Sequence, residues 1–394
     1  MNYSFDRGNL TVRDYSMAKL SDRELEEKYQ SGEFRLSQER NDFLLPQVLD
    51  FVRQRQWINL HPEYQRRQVW PNQKRSLFIE SLLMNLPVPP VFLFEVDYSR
   101  YEVIDGQQRL SAIADFYENR YKLTGLEKWS DLNNKKYTDL PPIVQRGLDR
   151  QRISAVVLPA ESLATEERRH DVRRLMFERL NTGGQNLNAQ ELRNCLYSGP
   201  FNDMLLRLAA QPLFNDVWEI PRYKDHIRGG HISPTLAMNR MFQRMLDCEV
   251  VLRFFAFRKR SNIRGAVRSM LDRCMQEFLT MSDEGVRELE ADFMSRLELS
   301  HMIFGDKTFR LPDDQGKGRL GRPSQPLYDA VMIAIDRLYS HKEKLLEKAD
   351  ALNIQLEAAL ANEEFYELVV GRANTADAIK ERLTRTEDLF GTVL

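Results

Sequence analysis

Tyr101–Ile113 reads YEVIDGQQRLSAI. The first four residues predict a short strand, and Leu110, Ile113, Ala114 and Tyr117 recur at helical spacing, so the polar run Asp105-Gly106-Gln107-Gln108-Arg109 falls where a strand ends and a helix begins. A helix start presents unpaired N–H groups and a partial positive charge, which suits a phosphate. Gly106, lacking a Cβ, lets a ligand approach the backbone, and Arg109 offers a planar fork of donors one turn later. Asp105 suits a metal or a water, while both glutamines donate and accept hydrogen bonds. Local physics equally admits a plain helix cap made by Asp105, with the remaining side chains solvated.

Outward from that junction, Val91–Val96 predicts a strand joined to Tyr101–Ile104 by the polar turn Asp97-Tyr98-Ser99-Arg100, and Ile153–Leu158 predicts a third. Pro71 opens a helix whose buried side is expected to carry Leu77, Ile79, Leu82 and Leu83, and Pro87, Pro89 and Pro90 end it. Further helices are expected from Asn41 through Val52, at Ser21–Gln30 with Ser21 and Glu24 at capping-box spacing, at Leu163–Leu180, and from Ala189 with Asn188 and Glu191 again at that spacing. Beyond about residue 205 the pattern is helical, with no strand expected and a Gly/Pro-rich loop at 311–325. The chain therefore divides into a polar extension (1–40), an αβ domain (41–204) and a helical domain (205–394), an α+β class overall.

The 394 residues suffice for two or three domains, and 57 basic residues against 58 acidic ones exclude a polycation, so any nucleic-acid contact must come from a local patch. Three cysteines without a CxxC pair argue against zinc and disulfides. Neither a basic, apolar leader nor a run of about 18 apolar residues occurs. The expectation is a cytoplasmic protein without a membrane span.

Other motifs are weaker. Gly316, Gly318 and Gly321 satisfy GxGxxG but lack a preceding predicted strand, and no GxxxxGK[ST] occurs, so neither a dinucleotide fold nor a P-loop is expected. His226 and His231 form the one local histidine pair, for which a loop or packing role outweighs a nuclease site. Arg258, Lys259, Arg260 and Arg264 are the candidate DNA-binding residues, a solvated helix face being the ordinary alternative.

Four segments taken together, EYQRRQVWP (63–71), NLPVPPVFLFE (85–95), EVIDGQQRLSAI (102–113) and FERLNTGGQNLNAQELRN (177–194), resemble the DGQQR-motif family of the ParB/sulfiredoxin-like superfamily, including the GmrS subunit of the type IV restriction enzyme GmrSD and the N-terminal domain of SspE. That resemblance implies a ParB/sulfiredoxin-like αβ core that binds, and in several members hydrolyses, a nucleoside triphosphate with Mg²⁺. It assigns Asp105, Gln108 and Arg109 to catalysis, and Gln65, Arg66, Gly106, Gln107, Asn181 and Thr182 to the nucleotide. Asp105 and Glu178 are implied as metal ligands, and Trp70 as a packing residue at the site wall. The expected partners are the triphosphate, DNA including modified phage DNA, a separately encoded nuclease subunit and, as an open alternative, further copies of the chain. No fused nuclease domain is expected from the sequence, a departure from the two-in-one members. A nucleotide-gated DNA-binding protein without turnover and a self-contained endonuclease stay as alternatives.

Overall fold

The structure, a computed structural model, describes residues 21–30, 37–60, 70–159, 172–176, 179–180, 188–197, 199–228, 231–312, 320–370 and 374–394. It combines a five-stranded mixed sheet near the N-terminus with a mainly helical remainder. The strands are β1 (Glu39–Leu44), β2 (Ile58–Asn59), β3 (Val91–Asp97), β4 (Arg100–Asp105) and β5 (Arg152–Pro159), in the order β1-β5-β3-β4-β2. β3 pairs antiparallel with β4 across the turn at Asp97–Arg100 and parallel with β5; β2 lies parallel to β4.

The helix expected from Asn41 is corrected. Glu39–Leu44 forms the antiparallel edge strand β1, in register from Glu39 opposite Val157 to Leu44 opposite Arg152, and the helix α2 starts only at Leu45 and ends at Leu49. Backbone pairing along β5 overrides the helical spacing of Phe43, Leu44 and Val48, and exposed Glu39, Arg40 and Asp42 suit an edge. The Leu44 N–H donates to the Gln47 carboxamide at 2.8 Å, closing the strand and starting the helix. A single π turn, Asp50–Gln54, then leads into β2, which no periodicity announces.

Alternation sorts the strand residues onto two covered faces. Val91 and Leu93 of β3, Val103 of β4 and Ile153, Ala155 and Val157 of β5 pack with α3 (Asn72–Leu83), α4 (Gln107–Tyr117) and α5 (Pro142–Asp149). Phe94, Ile104 and Leu158 point the other way, into the apolar cluster that the later helices share. On α3, Ile79 and Leu82 are buried as expected; Leu77 and Leu83 are half-buried, and Ser76, Phe78 and Glu80 complete the inner face. Buried Glu80 accepts from the backbone N–H of Lys128 (2.8 Å), Trp129 (2.7 Å) and Glu127 (3.3 Å), so it organises the chain after α4. Burial raises its pKa, but these N–H groups outweigh that and leave it below the usual value.

The capped helix at Ser21 is present as α1 (Asp22–Gln30), with the Ser21 N–H 2.7 Å from Glu24 Oε2. Ala189–Leu196 is likewise capped: Asn188 Oδ1 accepts from the N–H groups of Gln190 and Glu191, both at 2.9 Å. Of the expected helix at 163–180, residues 172–176 and 179–180 are helical and the rest lie outside the described residues.

The strand-free expectation beyond residue 205 is also corrected. Two small antiparallel ribbons interrupt the helices, Ile227–Arg228 with His231–Ile232 and Arg310–Pro312 with Leu320–Pro323. Each is only two to four residues per strand, too short for a readable alternation. The second holds the ends of the segment expected as a loop and runs into the helix Gln325–Arg337. Among the described residues, no helix is long and apolar enough to cross a membrane.

Candidate functional site

The strand-to-helix junction occurs as the sequence predicts: β4 ends at Asp105, Gly106 is the N-cap and α4 begins at Gln107. Gly106 has φ +100°, and a Cβ there would lie 2.5 Å from Val91 Cγ1. Close packing of the turn on the first residue of β3, together with the left-handed backbone, therefore demands glycine. Asp105 is not the cap, because the α4 N-terminus carries no side-chain cap bond.

Its carboxylate instead takes the guanidinium of Arg109. Arg109 Nη2 lies 2.6 Å from Asp105 Oδ2, and Nη1 donates to the Pro89 carbonyl at 2.8 Å. The Arg109 side chain is 10 % exposed and that of Asp105 38 %, so the acid faces solvent while the base is tucked between α4 and the proline run. Gln107 Nε2 donates to the Leu60 carbonyl at 2.6 Å, and Gln108 Oε1 accepts from the Trp70 N–H at 2.9 Å. Leu60 and Trp70 flank residues 61–69. The two glutamines thus pin both flanks of that stretch to the first turn of α4.

Trp70 is half-buried against Phe78, with ring centroids 5.7 Å apart, and the Lys74 ammonium lies 4.7 Å from its ring centroid. It packs on α3 with a cation on one face. On α4's third turn, Asp115 binds Arg53 at 2.8 Å and Arg75 at 3.3 Å, tying α4 to the π turn and to α3. Motif-based reasoning missed Leu60, Pro89, Glu102 and Arg173. The first two act through carbonyls, which carry no residue signature. Arg173 reaches Glu102 at 3.2 Å and lies over the Phe94 ring at 4.6 Å, joining the helical 172–176 turn to the sheet.

Gln65, Arg66, Glu178, Asn181 and Thr182 lie outside the described residues. The described part of the site therefore consists of Asp105, Gly106, Gln107, Gln108 and Arg109, brought together on one turn. Among the described residues, no group of three or more His, Cys, Asp or Glu side chains is arranged to hold a metal.

The candidate DNA-binding residues have different surroundings. Arg258 contacts Asp336 and Asp292, both at 2.9 Å, Lys259 pairs with Glu277, and Arg260 lies 2.8 Å from Glu387. Arg264 is exposed and makes no ion pair among the described residues. Internal partners thus neutralise three of these four cations. His226 ends the short helix before the first ribbon and His231 opens its second strand opposite Arg228, and His226 Nδ1 lies 2.7 Å from Ser233 Oγ, a local contact.

Neither the curated proteins nor the solved structures provide a match to this chain. A family match covers β2 through β5 and the whole Asp105–Arg109 turn, leaving β1 and most of the helical half outside it. Over residues 47–198 the chain matches the family described as GmrSD restriction endonuclease, N-terminal domain, which supports a GmrSD-like restriction family for this region.

Proposed function

We propose that the chain is the nucleotide-handling component of a DNA restriction system, working with a separately encoded nuclease on modified DNA. The observation that carries this reading is the coincidence of the family match with a glycine-only turn that opens a helix beside an exposed carboxylate. In this reading the first-turn N–H groups of α4 receive a triphosphate, which the helix dipole favours. Mg²⁺ carried with a triphosphate needs only one or two protein carboxylates, and Asp105 supplies one. Such an ion would neutralise charge between the phosphates. Glu178 would add a second carboxylate; Gln65, Arg66, Asn181 and Thr182 would complete the nucleotide contacts from outside the described residues.

Asp105 and Gln108 would orient the metal or the attacking water, Gln107 would contact the nucleotide, and Arg109 would stabilise phosphate charge. The test is phosphate release from each of the four nucleoside triphosphates with Mg²⁺. Turnover by the wild type and its loss in Asp105→Asn, with an unchanged circular dichroism spectrum, is expected; equal turnover in both proteins would refute the catalytic assignment.

One observation favours a second reading, a switch that holds nucleotide without hydrolysing it. Gln107 and Arg109 donate to the carbonyls of Leu60 and Pro89 and Gln108 accepts from the Trp70 N–H, so a ligand at this turn competes for the groups that position three chain segments. A switch predicts nucleotide-dependent retention of DNA with no phosphate release. Cleavage of plasmid by the purified single chain would instead favour a self-contained endonuclease.

A further inference from the structure

α5 ends in Arg146-Gly147-Leu148-Asp149, and the fold does not explain its glycine. A Cβ on Gly147 would meet no atom within 4 Å, its φ is not left-handed, and glycine is among the poorest helix formers. Alanine would fit there with a gain in stability. Glycine at such a position suits the close approach of another backbone to the helix.

The surroundings of Gly147 suit a polyanion. Ile143, Arg146, Gly147 and Arg150 fall on one side of α5 and its C-cap at three- and four-residue spacing, and all are exposed, Ile143 at 74 %. Residues 135–152 carry five basic side chains, Lys135, Lys136, Arg146, Arg150 and Arg152, against two acidic ones. None of the five makes an ion pair among the described residues. Both acids are held by other donors: Asp149 Oδ1 accepts from the phenols of Tyr117 at 3.0 Å and Tyr137 at 2.8 Å, and Asp139 Oδ2 from the Lys136 N–H at 3.0 Å. Asp42, opposite Ser154 on the edge strand β1, takes that hydroxyl at 2.6 Å. Of α2 and α3, which pack against α5, the first has no charged residue, and the one acid of the second is Glu80, turned to the N–H groups of residues 127–129. Gln145 Nε2 donates to the carbonyls of Tyr137 and Leu140, both at 3.0 Å, which fastens the segment after Lys136 to α5.

We propose that this outer stripe of α5 is a DNA-binding surface that lies against the sugar–phosphate backbone of a duplex. Gly147 admits the backbone, Arg146 and Arg150 bracket it with contacts to phosphates, and Ile143 rests on a deoxyribose. Guanidinium forks match phosphate oxygens, and such contacts position a protein on DNA without reading its sequence. The choice of DNA as the polyanion rests on the reading of the chain as part of a DNA restriction system. The surface shares no residue with the Asp105–Arg109 turn or with the basic run at 258–264.

Fluorescence anisotropy of a labelled DNA duplex, titrated with the full-length chain over a salt series without nucleotide, tests this. The wild type should bind, with an affinity that falls as salt rises. Arg146→Gln combined with Arg150→Gln should weaken binding about tenfold or more at low salt and reduce the salt slope by about two, one for each phosphate contact. Gly147→Leu should melt no lower than the wild type yet bind about tenfold more weakly. No DNA binding by the wild type, an unchanged salt slope in the double variant, wild-type affinity in Gly147→Leu, or a lowered melting temperature in that variant each overturns the proposal. Tighter binding of a duplex RNA of the same sequence overturns the choice of DNA. Phosphate release measured without DNA should be equal in the wild type and Gly147→Leu, so failure of this surface and failure of the nucleotide assignment give different results.

Discussion

Arg109 reaches back one helical turn to place its Nη2 2.6 Å from Asp105 Oδ2, while Nη1 donates to the Pro89 carbonyl. This polar turn is therefore also a joint: the helix, the strand before it and the proline run before β3 meet on one guanidinium. In the proposed reading ligand binding would share these groups with local structure, and the two consequences can be measured separately.

Gly106→Ala should be among the most damaging single changes in this half. The substitution combines a left-handed φ of +100° with a Cβ 2.5 Å from Val91 Cγ1. Strain and overpacking together suggest a loss of roughly 2–5 kcal/mol. Urea denaturation should show a lowered midpoint, with partial relief of the added cost in the Val91→Ala background because that change removes the Cγ1 contact but leaves the Cβ of residue 91 at 2.9 Å and the strained dihedral. A variant as stable as the wild type would contradict the packing described.

Hydrogen exchange can isolate the two glutamine clamps. Gln108→Ala removes the acceptor for the Trp70 N–H, whose protection should fall, whereas Gln107→Ala, acting on the Leu60 carbonyl, should leave the Trp70 amide nearly unchanged in the short term. Equal protection of the Trp70 amide in wild type and Gln108→Ala would show that another contact holds that flank.

Glu80 should contribute to acid sensitivity. Its folded-state pKa lies below the ordinary value of 4.5 because the stabilisation from the three N–H groups of residues 127–129 exceeds the burial penalty. A depressed carboxylate contributes stability above the unfolded pKa, and that contribution is lost as pH falls through the folded pKa. Glu80→Gln should therefore flatten the fall in thermal midpoint from pH 5 downward. Glu80→Ala, leaving the three N–H groups without their carboxylate acceptor, should cost about 1–3 kcal/mol at neutral pH. An unchanged pH profile in Glu80→Gln would remove Glu80 from this role.

In the helical half, order of damage is the test. Asp329→Ala leaves Arg253 and Arg382 buried without their shared carboxylate and should cost about 3–5 kcal/mol, while Arg382→Met keeps the Arg253–Asp329 pair and should cost much less. Burial lowers the pKa of Arg382, with the nearby Arg253 also opposing its charge, whereas Asp329 outweighs burial at Arg253. Thermal midpoints that fell equally in the two variants would argue against this division.

For DNA, the four basic residues at 258–264 should not behave alike. Arg264, exposed and without an ion pair among the described residues, is the one available to a phosphate at no cost to an internal pair. Arg264→Ala should reduce the salt dependence of DNA binding by about one phosphate contact. Arg258→Ala should chiefly lower stability through loss of its contacts with Asp292 and Asp336. Retention assays over a salt series, with melting curves alongside, separate the two effects.

Much of the site's position was legible in the sequence. Short apolar runs bounded by turns located β3, β4 and β5, and the helical spacing after Arg109 located α4, so the polar turn between them followed from local pattern. The capping boxes at Ser21 and Asn188 were equally readable because both partners lie within one turn. β1 and β2 were not, since each owes its extended form to backbone pairing with a strand far along the chain, Glu39–Leu44 with Arg152–Val157 and Ile58–Asn59 with Tyr101–Glu102.

The sequence by itself determined that five polar residues stand between a strand and a helix. Only the tertiary structure decided what they touch: the carbonyls of Leu60 and Pro89 and the N–H of Trp70. Backbone groups are the same in every residue, so no side-chain pattern identifies which of them a glutamine or arginine will meet. The helical half shows the same limit, because the basic run at 253–260 reads as free charge until Asp329, Asp336, Glu277 and Glu387 are brought to it from distant helices. Local periodicity specifies elements, whereas the pairing of charges and the sharing of carbonyls depend on which elements pack together.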